Sequence, residues 1–445
     1  MGSSSPSNVS TKQARIAMLA RQMPEAKLTS LSHHIDIDWM KEAFRRTRKN
    51  GAVGVDGKTA QQYEQNLEDN LKRLLDSAKS GNYRAPPVKR VHIPKGDGQT
   101  RPIGIPTFED KVLQRAAVMA LEPAYEQEFL DCSYGFRPGR SAHQALDSFW
   151  KQMMAMGGGW VVEIDIRKFF DMLDHKHLQT IVRQRVNDGV LVRLIGKWLN
   201  AGVMEAGELQ YPYAGTPQGG VISPLLANIY LHEVLDRWFE RDVMPRLVGR
   251  GFLVRYADDA VLGFSNEGDA RKVMDVLPKR FEKYGLTLHP EKTRLVYFKP
   301  PRQNGGGKDP DEPDSFDLLG FTHFWGKSRK GNWVIQRRTA KSRFRRSLRA
   351  AAEWCRAHRH RPMKEQHRIL SRKLRGHFGY FGITGNSRAL SSFRYWVERV
   401  WHKWLARRSN KGLTWARFSR ILRQMPLPPA IAVHSELRRS AKAAT

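Results

Sequence analysis

The 445-residue sequence predicts an α/β (α+β) body followed by a strongly basic, all-helical C-terminal module, and three patterns carry that prediction. Short β-branched runs bounded by glycines alternate with stretches of helical apolar spacing through about residue 326. Beyond that point helical spacing dominates. Charge divides at the same place: residues 1–326 hold 45 basic and 40 acidic side chains, whereas 327–445 hold 31 and 4, so +27 of the net +32 lies in the last quarter.

The composition, 40% hydrophobic and 10% aromatic, is enough to build packed cores and excludes wholesale disorder. Two cysteines, Cys132 and Cys355, make neither a disulfide framework nor a paired zinc motif. The opening MGSSSPSNVSTKQAR lacks the apolar core of a secretory signal, and no run of 18 apolar residues occurs. The expectation is a soluble protein of a reducing cytoplasm, with no membrane partner and no zinc.

Taken in chain order, residues 1–50 read as an N-terminal extension and 51–326 as the α/β body. VKRVHIP and RPIGIP flank a turn at Gly96 to Gln99 and form a hairpin bracketed by Lys95 and Arg101. WVVEIDI at 160–166, after Gly157-Gly158-Gly159, is a strand, and RKFFDMLDHKHLQTIVRQRV then takes helical spacing. SPLLANIYLHEVLDRWFERDV (223–243) is a helix with Ser223 as N-cap and Pro224 in its first turn. FLVRY and AVLGF make a second hairpin with Asp258 and Asp259 at its tip. Residues 299–315 form a polar loop within the sheet-bearing body, because LVYF and FDLLGF stand on either side of it.

Residues 327–445 read as a helical bundle, with amphipathic helices over 339–357, 364–376 and 389–405 and a glycine-rich turn at 376–384. In the last helix Leu390, Phe393, Val397, Val400, Trp401 and Trp404 recur at spacings of three and four. A surface with one sign of charge at this density repels itself unless phosphates neutralise it, which points to a nucleic-acid-binding module. A basic disordered tail is the alternative. Against it stand Trp325, Trp333, Trp354, Trp396, Trp401, Trp404 and Trp415, each of which needs burial or a base to stack on.

The chemistry-bearing candidates are acids at strand ends. Asp165 follows Val161, Val162 and Ile164, and Asp258-Asp259 joins two apolar strands. With neighbouring strands about 5 Å apart, three carboxylates on such a sheet suit two Mg²⁺ ions about 3.5 to 4 Å apart, as two-metal phosphoryl transfer requires. All-oxygen ligands favour magnesium over zinc. Adjacent acids in a turn also serve simply as hydrogen-bonding turn formers.

The words around these acids add a family. VGVDGKT (53–59), RPIGIP (101–106), YGFRPGRSAH (134–143), EIDIRKFFD (163–171), GTPQGGVISPLLANIYL (215–231), RYADD (255–259), LTLHPEKTRLV (286–296) and DLLGF (317–321) occur in the order found in reverse transcriptases. Together they resemble the proteins encoded within group II introns, from about residue 40 to about 325 and more weakly through the basic region. The resemblance implies a right-hand polymerase with fingers and palm at 51–326 and a helical thumb/maturase domain at 327–445. It implies RNA-directed DNA synthesis from dNTPs, with Asp165, Asp258 and Asp259 and the Ile166 backbone carbonyl holding two Mg²⁺. Lys95, Arg101, Gln218 and Lys292 would contact the nucleotide or its phosphates, and Phe170 would exclude a ribose 2′ hydroxyl.

Gly219 and Gly220 would let the backbone approach nucleotide or template closely. The implied partners are a group II intron RNA, an RNA template with a DNA primer, and target DNA. Arg343, Arg345, Arg346, Arg375, His377 and Tyr380 are the candidate RNA contacts. With no cysteine pairs and no His/Asn/Cys array after residue 400, an endonuclease-lacking form is expected. A free-standing relative used in phage defence, CRISPR adaptation or DNA repair fits the same motifs, and so does a catalytically silent RNA-binding splicing cofactor.

Overall fold

A computed structural model describes residues 6–94, 100–205, 207–210, 219–301, 314–408 and 412–434. The chain divides into two compact units, Met1–Leu295 and Val296–Thr445.

The first unit is built around the helix Phe108–Tyr125, most of whose residues are buried. Helices Pro6–Gln22 and Ile37–Arg46 pack onto it, with Gln13 Nε2 donating to the Met119 carbonyl (2.9 Å) and Trp39 Nε1 to that of Ala116 (3.0 Å). Ile16, Trp39 and Met40 are fully buried, so residues from the first 50 contribute to this unit's core. The strands are β1 (Val88–Pro94), β2 (Thr100–Ile105), β3 (Gly159–Ile164), β4 (Val203–Glu205), β5 (Glu208–Gln210), β6 (Gly251–Tyr256) and β7 (Asp259–Phe264).

They form two sheets. One has the order β2-β1-β4-β5; the other pairs β6 with β7 and β7 with β3, all antiparallel, and its far edge takes β8 (Arg294–Phe298), within which the division between units falls. The expected hairpin of VKRVHIP and RPIGIP is present, registered from Lys89 opposite Ile105 to Pro94 opposite Thr100. Its turn, with Lys95, lies outside the described residues.

The segment after β3 forms two helices, Phe169–Met172 and His175–Arg185. Ser223 is the first residue of its helix, Ser223–Leu231, and not its cap; Ile222 stands at the cap with helical φ and ψ. That start is held from elsewhere: Gln114 Oε1 accepts the backbone N–H groups of Val221 (2.7 Å) and Ile222 (3.3 Å). Gln114 is itself tied to buried Asp110, which also accepts from Trp198 Nε1 (2.7 Å) and the Tyr83 hydroxyl. From His232 to Val243 the helix continues with wider π-type turns, a variation that often marks functional positions.

The second unit is not all-helical. It opens with β9 (Phe316–Leu318), β10 (Phe321–Lys327) and β11 (Trp333–Thr339) in the order β11-β10-β9. Burial at Ile335, Arg337 and Thr339 alternates with intermediate or exposed neighbours, so β11 obeys a period of two although it falls in the basic region read as helical. The β9–β10 turn has Leu319 at φ +51° and Gly320 at φ +82°, the pair of positive values of a type I′ hairpin turn.

Helices Lys341–Ala357, Met363–Phe381, Ser387–Ala406 and Trp415–Gln424 follow. Asn386 ties sheet to bundle, accepting from Thr339 N–H (2.9 Å) and donating to Thr339 Oγ1 and the Phe381 carbonyl (both 2.8 Å). These contacts, with Phe298 against Phe316 (5.1 Å) and Trp325 (5.8 Å), explain why the division falls after Leu295 and not at the expected 326. The expected turn at 376–384 is mostly helix: Leu374, His377, Phe378 and Phe381 are buried at helical spacing, and the chain turns only after Phe381. The predicted helix at 389–405 is present, with Leu390, Phe393, Val397, Trp401 and Leu405 facing the core.

Candidate active site

β3 and β7 run antiparallel with Ile164 opposite Ala260, so continuing that register by one residue sets Asp165 across from Asp259. On the other side of β7, Tyr256 pairs with Asp259, leaving Ala257 and Asp258 as a two-residue turn. Ala257 has φ +57°, the left-handed value expected at the first turn position of a tight hairpin. An alanine there is strained, and such strain persists only where the surroundings over-determine it.

The surroundings do so. Arg255 is fully buried and grips Asp236, also fully buried, through Nε to Oδ1 (2.7 Å) and Nη2 to Oδ2 (2.6 Å). The same guanidinium donates to the Ala257 carbonyl (3.0 Å), Asn228 Oδ1 (2.9 Å) and Ser133 Oγ (2.8 Å). Asn228 Nδ2 in turn holds the Gly135 carbonyl (2.7 Å). A Cβ on Gly135 would stand 2.2 Å from the Ala257 nitrogen, so only glycine fits beneath the turn. Arg137 fixes this supporting loop, donating to the carbonyls of Leu130 (2.7 Å) and Ser133 (2.9 Å) and to Glu126. The network is absent from the sequence-level reading. The motif words RYADD and YGFRPGR contain Arg255, Gly135 and Arg137, but their contact with one another is tertiary.

The electrostatics gather at the same tip. Burial pushes the Asp258 carboxyl above the usual range and the charge of Asp165 pushes it the same way, against its own backbone N–H, Arg101 and Arg255. Asp258 and Asp165 are both half-buried and Asp259 is exposed. Asp165 is held by its backbone: its carbonyl accepts His289 N–H (2.8 Å) and its N–H donates to Thr293 Oγ1 (3.3 Å). Lys292 Nζ stands 3.5 Å from Asp165 Oδ2. Hydrogen bonds on either side of the Ile166–Leu288 bridge make that pair a non-bonded one, so the Ile166 carbonyl points away from Leu288.

No group of three or more His, Cys, Asp or Glu side chains close enough to hold a metal occurs among the described residues. The donor chemistry nevertheless fits a hard divalent cation. Asp258, partly withdrawn from water and pushed up by the charge of Asp165, is stabilised in its ionised form by a cation beside it.

The other predicted residues are distributed as follows. Arg101 is exposed on β2 and within electrostatic reach of Asp258. Phe169 is buried and Phe170 half-buried, their rings edge to face at 5.2 Å, so the first enters the core and the second lies nearer the surface. Gln218, like Lys95, lies outside the described residues. Gly219 has φ +118°, and a Cβ there would meet the Gly104 carbonyl at 2.6 Å; the close approach it permits is to β2 of this chain.

In the second unit Arg343, Arg345, Arg346 and Arg375 are exposed. Tyr380 is 36% exposed, and its hydroxyl donates to the Leu319 carbonyl (2.8 Å). His377 is not on the exposed basic face. It stacks on Phe393 at 3.7 Å, its Nε2 has no hydrogen-bond partner among the described residues, and burial lowers its pKa to about 4.

The chain is similar to several known proteins. Residues 93–323 match the family described as reverse transcriptase (RNA-dependent DNA polymerase). The chain is 37% identical over 288 residues to protein YkfC of Escherichia coli (strain K12), covering 57% of this chain and 75% of YkfC. It is 45% identical over 172 residues to the group II intron-encoded protein LtrA of Lactococcus lactis subsp. cremoris, covering 38% of this chain and 28% of LtrA. Nuclear intron maturase 2, mitochondrial, of Arabidopsis thaliana is 30% identical over 231 residues, or 43% of this chain and 30% of that protein. The alignments thus span three quarters of YkfC but less than a third of LtrA and of the plant maturase. Among the described residues no helix is long and apolar enough to cross a membrane.

Proposed function

The chain belongs to the reverse transcriptase family and is homologous to group II intron-encoded proteins; from that premise we propose that it copies RNA into DNA for a group II intron and binds the intron RNA to assist splicing and retrohoming. The reaction is attack of a primer 3′ hydroxyl on the α-phosphate of a dNTP, forming the phosphodiester and releasing pyrophosphate. Two Mg²⁺ ions, when bound, supply activation of the hydroxyl and neutralisation of charge on the triphosphate.

Asp165, Asp258 and Asp259, with the Ile166 carbonyl, are the groups that would hold them. The supporting observation is the carboxylate pair: Asp258, on a turn strained and clamped from below, lies within the field of Asp165 at the end of the neighbouring strand. Arg101 and Lys95 would meet triphosphate oxygens, and Gln218 would contact the nucleotide. Phe170 would exclude a ribose 2′ hydroxyl from the pocket. Lys292, already beside Asp165, would exchange that carboxylate for a phosphate oxygen as its ion-pair partner when substrate enters. The exposed Arg343, Arg345, Arg346 and Arg375 of the second unit meet RNA phosphates.

The experiment is extension of a DNA primer on an RNA template by Asp258→Ala/Asp259→Ala. Synthesis is abolished, while RNA affinity and the melting temperature stay near the parent's. Unchanged synthesis refutes the assignment. The RNA that copurifies with the chain identifies the intron, or its absence favours the free-standing alternative.

A further inference from the structure

The tryptophans of the second unit differ in exposure. Trp401 is fully buried, with Nε1 donating to Gln366 Oε1 (3.1 Å), and Trp325 is 9% exposed. Trp396 and Trp415, by contrast, are 44% and 45% exposed, and Tyr395 beside them is 50% exposed. Large rings left in water forgo the stabilisation of burial, and here three do so together.

They are also fixed in place. Arg399 lies 5.4 Å from the centroid of Tyr395, 6.0 Å from that of Trp396 and 5.3 Å from that of Trp415, and its Nη1 donates to the Tyr395 hydroxyl (3.0 Å). His402 stacks on Trp415 at 3.9 Å with an interplanar angle of 23°, and its Nε2 is anchored on the Leu413 carbonyl (2.7 Å). Phe418 meets the same tryptophan edge-on at 5.6 Å. Tyr395, Trp396, Arg399 and His402 come from one helix and Trp415 opens the next, so two helices build one ring-and-guanidinium surface.

We propose that Tyr395, Trp396, Arg399, His402 and Trp415 form a stacking platform for unpaired bases of RNA. This rests on the reading of the second unit as RNA-binding and names which part of an RNA it takes. Interleaved aromatic and guanidinium groups are what base stacking uses, and every base offers a π-face. Bases inside a duplex are already stacked and present only phosphate and groove edges, so loops and bulges are the fitting partners. A second copy of the chain would bring two strongly cationic faces together, which charge repulsion opposes. Glu398, the nearby acid on the same helix, is paired with Arg394 (3.0 Å) and does not soften that repulsion.

The test uses the full chain at moderate salt, with a single-stranded RNA, the same RNA annealed to its complement, and a single-stranded DNA of the same sequence. Trp396→Ala and Trp415→Ala each weaken binding of the single-stranded RNA by about tenfold, the double variant by more, with duplex affinity, salt slope and melting temperature unchanged. Trp396→Phe restores most of the loss, because a ring suffices. Charge reversal at Arg343, Arg345 and Arg346 acts differently: single-strand and duplex affinities both fall, and the salt slope shrinks by about 2.

Parental affinity of the double variant for single-stranded RNA overturns the platform, as does an equal loss on both RNA forms. Equal parental affinity for the DNA strand overturns the assignment to RNA. Self-association that disappears in the double variant assigns the surface to a second copy. A parent chain with no affinity for any RNA would overturn the reading of the whole second unit.

Discussion

Two sets of arginines, one in each unit, are used in opposite ways. In the first, Arg255 is sealed from water against Asp236 and spends its remaining donors on Ala257, Asn228 and Ser133. In the second, Arg343, Arg345, Arg346 and Arg375 stand in solvent among few acids, of which Glu365 and Glu398 already have partners in Arg361 and Arg394. A buried guanidinium with a fixed fork of donors is an internal strut, holding a strained turn in one geometry. An exposed, uncompensated one adds nothing to the fold and waits for an external anion. The difference is between charge locked into the fold and charge left open to solvent.

The largest expected effect breaks the first half of that contrast. Arg255→Ala or Asp236→Ala leaves a buried charge without its partner and costs about 3–5 kcal/mol, read as a large fall in melting temperature. The double variant Arg255→Met/Asp236→Leu regains much of the stability, since matched apolar groups replace a buried pair at little cost. Primer extension does not return with it, because the bonds to Ala257 and Asn228 are gone. Single variants that melt like the parent would show that the pair is no strut.

A smaller effect sharpens the second half, by separating the core of the second unit from its charged face. His377 is neutral in the folded chain, its pKa held near 4 by burial, and an unfolded histidine titrates near 6.5. Between those values the unfolded chain binds the extra proton, so this contribution to stability is complete above about pH 6.5 and is lost as pH falls towards 4. The total is on the order of 3 kcal/mol. His323, whose pKa burial lowers to about 3, acts in the same direction. His377→Leu should flatten part of the acid-side decline in thermal stability while leaving RNA affinity at neutral pH unchanged. A variant that loses RNA affinity with its stability intact would return His377 to the binding face.

Much of this was legible in the sequence, and the misses have physical causes. The hairpin FLVRY-ADD-AVLGF is readable because two short continuous apolar runs bracket a polar turn. The helix at 387–406 was readable because its buried residues repeat at three and four. In the segment 376–384, glycines at 376 and 379 signal a turn locally, whereas buried His377, Phe378 and Phe381 keep the chain helical. Residues 333–339 were absorbed into a helical domain because their charge outweighed their alternation; the hydrogen bonds of β10 decide the matter. The strut was invisible because Arg255 and Asp236 lie on a strand and a helix that only the fold brings together. Gly135 beneath Ala257 and Gly219 against Gly104 were hidden for the same reason: contact across the fold leaves no mark in a local window.

The account depends on Asp165, Asp258 and Asp259 binding one pair of divalent ions, and iron-directed cleavage reads that without any substrate. Fe²⁺ in place of Mg²⁺, with ascorbate and peroxide, cuts a backbone close to where the ion sits. Fragments ending near residues 165 and 258 are expected, suppressed by excess Mg²⁺ and missing from Asp258→Ala/Asp259→Ala. Cleavage elsewhere, or the same fragments from that variant, would contradict a metal site at the tip of this hairpin.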